Sequence, residues 1–144
     1  MNDNLHASPT ALVDACYALI TFAPGTEPVW DEFRALFHPK AVLGLRVFPE
    51  DPSVTIMDLD RYIIRQMREG LEQQGYSERV LNRSEVVFHD IAEVRVLFSM
   101  QFGDAKPHTA IDIFSLVRSD GRWYITSIVS DILRPSEVVP AEFA

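Results

Sequence analysis

Two aspartates, Asp112 and Asp131, sit in consecutive apolar runs, IDIFSLVR and WYITSIVSD, joined by an Asp120-Gly121 turn. A two-residue Asp-Gly turn between such runs is the sequence of a hairpin, and it sets the pairing register. Pairing Ser119 with Arg122 puts Leu116 opposite Ile125, Phe114 opposite Ser127, Asp112 opposite Val129 and Ala110 opposite Asp131. Side chains alternate along a strand, so these positions share one face. Asp112 and Asp131 then lie diagonally on it, about 7–8 Å apart, with Phe114, Trp123, Ile125 and Val129 around them. Carboxyl groups in apolar surroundings keep their protons to higher pH, which is what acid–base work near neutrality needs. At the sheet rim either aspartate would instead cap loop amides and be held in its charged form.

The other reactive residues carry less. His6, His38, His89 and His108 show neither i, i+4 nor H-x-H spacing, so no metal site is expected. Cys16, the single cysteine, has no disulfide partner in the chain and falls in the apolar stripe Leu12, Cys16, Leu19 and Ile20 as a core thiol. The six glycines form no G-x-x-x-x-G-K-[ST], G-x-G-x-x-G or G-x-S-x-G, and no cofactor is expected. Trp30, Phe33, Phe37 and Tyr62 read either as core or as the lining of a pocket mouth.

Helical periods fill the first half. Ser8-Pro9 starts a helix that Pro24-Gly25 ends, Trp30, Phe33 and Phe37 mark a short second one, and Asp58 caps a third running to about Gln74. Ala41 to Val47 reads as a short strand and FPEDPSV as a loop. The second half has period two. In AEVRVLFSMQF, Ala92, Val94, Val96, Phe98, Met100 and Phe102 share one face. A weaker strand, SEVVFHDI, precedes it and the hairpin follows. Helices first and an antiparallel meander after predict an α+β domain, with helices on one face of one sheet. The whole chain, 1–144, reads as a single domain with its core at about 9–134 and with loose tails at 1–7 and 135–144.

The sheet's outer face would carry Leu97, Ile111, Ile113, Tyr124 and Ile128 inside a rim of Glu93, Arg95 and Gln101. That is more apolar surface than a solvated face needs, and it predicts a homodimer. The net charge of −8, from 13 basic and 21 acidic residues, argues against a nucleic-acid partner. Arg61, Arg65 and Arg68 alternate with Asp58, Asp60 and Glu69 as a salt-bridged helix face. No basic n-region precedes an apolar run and no window approaches eighteen apolar residues, so a cytoplasmic protein without a membrane partner is expected.

LFHPKAVL, HDIAEVRVLFSMQF and, above all, IDIFSLVRSDGRWYITSIVSD carry a resemblance. Over about residues 9–134 the chain resembles the nuclear transport factor 2-like superfamily, particularly its uncharacterised SnoaL-like bacterial members. The resemblance implies a cystatin-like cone, a curved antiparallel sheet wrapped by three N-terminal helices around a pocket, with the outer face forming a dimer. The superfamily includes isomerases, polyketide cyclases, dehydratases, epoxide hydrolases and dioxygenase small subunits. Tyr17 matches the place of the isomerases' oxyanion-donating tyrosine, and Asp112 lies near their protonated aspartic acid. Where their base would follow the second helix, this chain has Lys40-Ala41-Val42-Leu43. Asp131 would stand in for the strand aspartate of cyclases and hydrolases. The implied function is a small organic ligand in a pocket lined by Trp30, Phe33, Tyr62, Phe98, Met100 and Phe114. Cofactor-free acid–base chemistry would fall to Asp131, Asp112 and Tyr17. The alternatives are a non-catalytic binding protein and a structural subunit.

Overall fold

In the computed structural model, which describes residues 3–144, Ser8 caps the first helix by accepting the Ala11 amide at 3.2 Å. That helix, α1 (Pro9–Ile20), buries Leu12, Val13, Cys16, Tyr17 and Ile20. A short α2 (Trp30–Arg34) leads into β1 (Phe37–Leu45), which starts earlier than Ala41. An unexpected strand, β2 (Thr55–Asp58), pairs antiparallel with β1 after the proline loop. Asp58 caps α3 (Leu59–Gln66), accepting the Arg61 amide at 2.8 Å. The helix expected to reach Gln74 stops at Gln66. Gly70, at φ 92°, takes the left-handed conformation that costs glycine little and starts a separate turn, α4 (Leu71–Gln74).

The strands β3 (Tyr76–Phe88), β4 (Ile91–Phe102), β5 (His108–Ser119) and β6 (Arg122–Ile132) complete a six-stranded sheet of order β2-β1-β6-β5-β4-β3. The α+β architecture, with helices on one face of a single sheet, is as expected. The sheet is mixed, because β1 runs parallel to β6 while every other pair is antiparallel. Alternation within a strand says which face is buried but not which strand lies alongside. The inward face of β4 is the one its alternation predicts, with all six residues from Ala92 to Phe102 buried. β3 begins at Tyr76, eight residues before Ser84, and pairs Tyr76 with Phe102 and Glu78 with Met100.

The hairpin keeps its predicted register from Ser119–Arg122 to Leu116–Ile125, and then slips. Ser115 pairs with Ser127, leaving Thr126 as a bulge whose Oγ donates to the Ser115 carbonyl at 3.0 Å. One extra residue sends every later side chain of β6 to the opposite face. Ile128 therefore turns inward (6% exposed) and Val129 outward (49% exposed). Asp112 pairs with Ser130 instead of Val129, and Ile111 with Asp131.

Short turns lie at both ends of the chain. Asp3–Ala7 form a 3-10 turn whose His6 is buried, its Nδ1 2.7 Å from the Trp123 carbonyl and its ring against Tyr124. Ala141–Phe143 form another turn, with Phe143 near the Arg95 guanidinium. Met1 and Asn2 lie outside the described residues. Arg65 of α3 and Arg68 in the turn after it pair with the loop after β1 instead of with their own helix, Arg65 with Asp51 at 3.0 Å and Arg68 with Glu50 at 2.5 Å, and Asp60 pairs with Arg34.

Candidate functional site

The inner face of the sheet, α1 and α3 enclose a cavity of about 40 Å³. That is room for about three waters or a molecule of a few atoms. Its walls are largely apolar, from Ile20, Phe33, Phe98, Met100, Ala110 and Ile128. Its polar side comes from Glu78 on β3, Asp112 on β5, Ser130 on β6, and Tyr62 and Gln66 on α3.

Asp112 is buried beneath α1, where the Tyr17 hydroxyl donates to its Oδ2 at 2.6 Å. The bulge also turns Ser130 to the same side, beside Asp112, with its hydroxyl donating to the Ile111 carbonyl. Burial pushes the Asp112 carboxyl up to about 6, against the opposing pull of the neighbouring Ser130 and Tyr17 hydroxyls. Glu78 stands higher, at about 8, through burial and the charge of Asp112, with the Tyr76 hydroxyl donating to it and opposing the rise. Two carboxyls that oppose each other's ionisation titrate as a pair, and near neutral pH this one holds a single proton. Burial and the same two carboxylates push the Tyr17 phenol well above its ordinary value, so it stays a donor. Burial likewise raises the Cys16 thiol, which keeps it an inert wall residue.

Asp131 is elsewhere. The bulge places it on the outer face, where it is exposed and its Oδ1 accepts from Arg46 Nε at 3.1 Å. Burial would raise this carboxyl, but the Arg46 hydrogen bond and charge and the Ile132 amide outweigh it and hold it below its usual range. The expected Asp112–Asp131 pair is thus replaced by Asp112–Glu78. Of the expected lining, Phe33, Tyr62, Phe98 and Met100 face the cavity. Trp30 packs edge-on against Phe33, and Phe114 lies against Tyr17 as core, so neither lines it.

Glu78 and Gln66 were not anticipated. Tyr76-x-Glu78-x-Val80 has the strand alternation that would have exposed Glu78, had the strand been started at Gly75. Gln66 stands four residues after Tyr62 and so shares its helix face. It is 2% exposed, its Oε1 accepts from the Tyr62 hydroxyl at 3.3 Å, and its Nε2 has no partner. Among the described residues no group of three or more His, Cys, Asp or Glu is placed to hold a metal, and no helix is long and apolar enough to cross a membrane.

No protein-family model matches the chain, and no curated protein matches it. Solved structures do. A protein of unknown function with a cystatin-like fold from Nostoc punctiforme superposes with a TM-score of 0.65 at 13% identity, covering 88% of this chain and 89% of that one. A nuclear transport factor 2-like protein of unknown function from Silicibacter pomeroyi gives 0.57 at 19%, over 86% and 92%. A putative calcium/calmodulin-dependent protein kinase type II association domain from Thiobacillus denitrificans gives 0.66 at 14%, over 90% and 98%. At such identities a likeness carries architecture and nothing finer. The chain has the nuclear transport factor 2-like, cystatin-like fold.

Proposed function

We propose that this protein holds a small organic molecule between its helices and sheet and exchanges a proton with it through Asp112 and Glu78. The observation that supports this is the meeting of two carboxyls in one apolar cavity, each bound by a tyrosine hydroxyl. Near neutral pH Asp112 is the base and Glu78 the acid, a pairing of roles that cofactor-free isomerisation, dehydration or cyclisation uses. Tyr17 is a positioning residue in this scheme, since its proton is given to Asp112 and not to a ligand oxygen. A panel of amines, ketones and carboxylates of about two to four non-hydrogen atoms tests the reading through amide chemical shifts. At least one class is expected to shift residues around the cavity, centred on Glu78, Met100 and Asp112. No shifts from any class would contradict it.

An assembly role is the second reading, favoured by the outer face. There an apolar groove of about 730 Å³ runs between Val54, Ile56, Ile111, Ile113, Val129 and Val138, with Ile56 78% and Val138 86% exposed. We propose that a second copy covers it. Ile128 has left this face for the core and Val129 takes its place. Light scattering at micromolar concentration is expected to give twice the 16.4 kDa chain mass, and Ile113→Glu to halve it. A single-chain mass for the wild type would refute the dimer.

A further inference from the structure

The cavity's hydroxyl donors are already spent. Tyr17 donates to Asp112, Tyr76 to Glu78, Tyr62 to Gln66 and Ser130 to the Ile111 carbonyl at 2.9 Å. What remains for an occupant is the two carboxyls, with the one proton they hold near neutral pH, and the unpartnered end of the Gln66 amide. Turning that amide by half a rotation lets Nε2 donate to the Tyr62 oxygen, presents Oε1 to the cavity and frees the Tyr62 hydroxyl proton for an acceptor there.

Neither acid has a counter-charge. Arg46 lies at the cavity's edge, but its Nε goes to Asp131 and its Nη1 to the Asp51 carbonyl. The hydrogen bonds that reach Asp112 and Glu78 come from hydroxyls, and no cation pulls either carboxyl down. Around them stand the rings of Phe33, Tyr62, Tyr76 and Phe98. Acceptors without a cation, inside aromatic walls, are complementary to a desolvated positive charge carried on an apolar body.

We infer that the cavity between α1, α3 and the sheet binds a small organic cation, an alkylammonium of about two to four non-hydrogen atoms, through Glu78, Asp112 and Gln66. This rests on the reading that the same cavity is the ligand site, and it makes the ammonium a bound ligand there, not a substrate of the proton exchange. A hard metal ion does not suit it, because such ions take about six or more oxygen ligands, and here two carboxyls, the Gln66 amide and three hydroxyls already engaged as donors stand among largely carbon walls. An anion would meet two acids. A neutral carbonyl compound would leave the ionised carboxylate uncompensated.

Binding has a proton consequence. The ammonium nitrogen keeps its own proton and favours both carboxylates in charged form, so the proton the pair shared leaves to solvent. The other titratable groups facing the site do not take it up. Cys16 and Tyr17 from α1, Tyr62 from α3 and Tyr76 from β3 are all raised by burial, and so remain protonated throughout. Arg46 also lines the site, engaged by Asp131 and the Asp51 carbonyl. The net release near pH 7 is therefore about one proton per ligand.

Calorimetry with methylammonium chloride, in two buffers of different ionisation heat, tests this directly. Acetone, sodium acetate and potassium chloride serve as neutral, anionic and metal-cation comparisons. Methylammonium is expected to bind with about one proton released, and with affinity rising roughly tenfold per pH unit between pH 6 and 8. Glu78→Gln is expected to abolish that pH slope, and Gln66→Leu to weaken binding by about fivefold or more. Binding of acetone or acetate in place of methylammonium would overturn the cation inference while leaving the pocket reading intact. Equal binding of potassium would overturn it in favour of a metal-ion site. No binding by any probe would overturn both.

Discussion

Trp123→Ala is expected to lower the unfolding free energy by about 3–5 kcal/mol, the cost of emptying a large buried site. Trp123 is 3% exposed, opens β6 on its inward face, and gives its carbonyl to buried His6. Two further changes locate the bulge. Ile128→Ala is expected to cost about 2–5 kcal/mol as a core truncation, and Val129→Ala no more than about 0.5 kcal/mol in the monomer. Urea unfolding measures all three. The reverse order at 128 and 129 would mean an unbroken ladder, and Asp131 would return to the inner face.

Glu78→Gln is expected to stabilise the protein at alkaline pH. An acid whose folded pKa exceeds its unfolded value binds more protons in the native state across the interval between them. Unfolding free energy then falls as pH rises. For Asp112 and Glu78 the interval runs from about 4 to about 6 and about 8 respectively. Their protonated forms cost nothing below it, and their charges destabilise the fold above it. Glutamine cannot ionise, so at pH 9 the variant is expected to exceed the wild type by on the order of a few kcal/mol. By pH 5 the advantage should vanish. Asp131 has the opposite sign: its depressed pKa gives stability that is lost on acidification. A variant destabilised equally at every pH would show that Glu78 serves only as a packing and hydrogen-bonding residue.

What the sequence made legible were the features that repeat within one strand or one helix. Strict alternation from Ala92 to Phe102 revealed the inner face, Asp120-Gly121 the hairpin, and Ser8-Pro9 the start of α1. Asp112 emerged from that logic as an inward carboxyl. Its partner was misplaced because Thr126, a good strand residue within ITSIV, gives no composition signal of a bulge, and one inserted residue reverses everything after it. Glu78 was hidden because the outward positions of β3 are polar and much of the strand is exposed, so its start looked like the end of a helix. The contact between Tyr17 and Asp112 spans 95 positions, and nothing local announces it. The parallel β1–β6 pairing is non-local in the same sense.

The central claim is that Asp112 and Glu78 share one proton in a common cavity, and carboxyl-carbon NMR titration tests it most directly. In the wild type both carboxyls are expected to titrate above their ordinary range, as a pair, with the second step near pH 8. In Asp112→Asn the Glu78 pKa is expected to fall as the opposing charge is removed, while Asp131 titrates below its ordinary value in both proteins. Independent titration of Asp112 and Glu78 near 4, unchanged by Asp112→Asn, would contradict the shared proton and the acid–base function built on it.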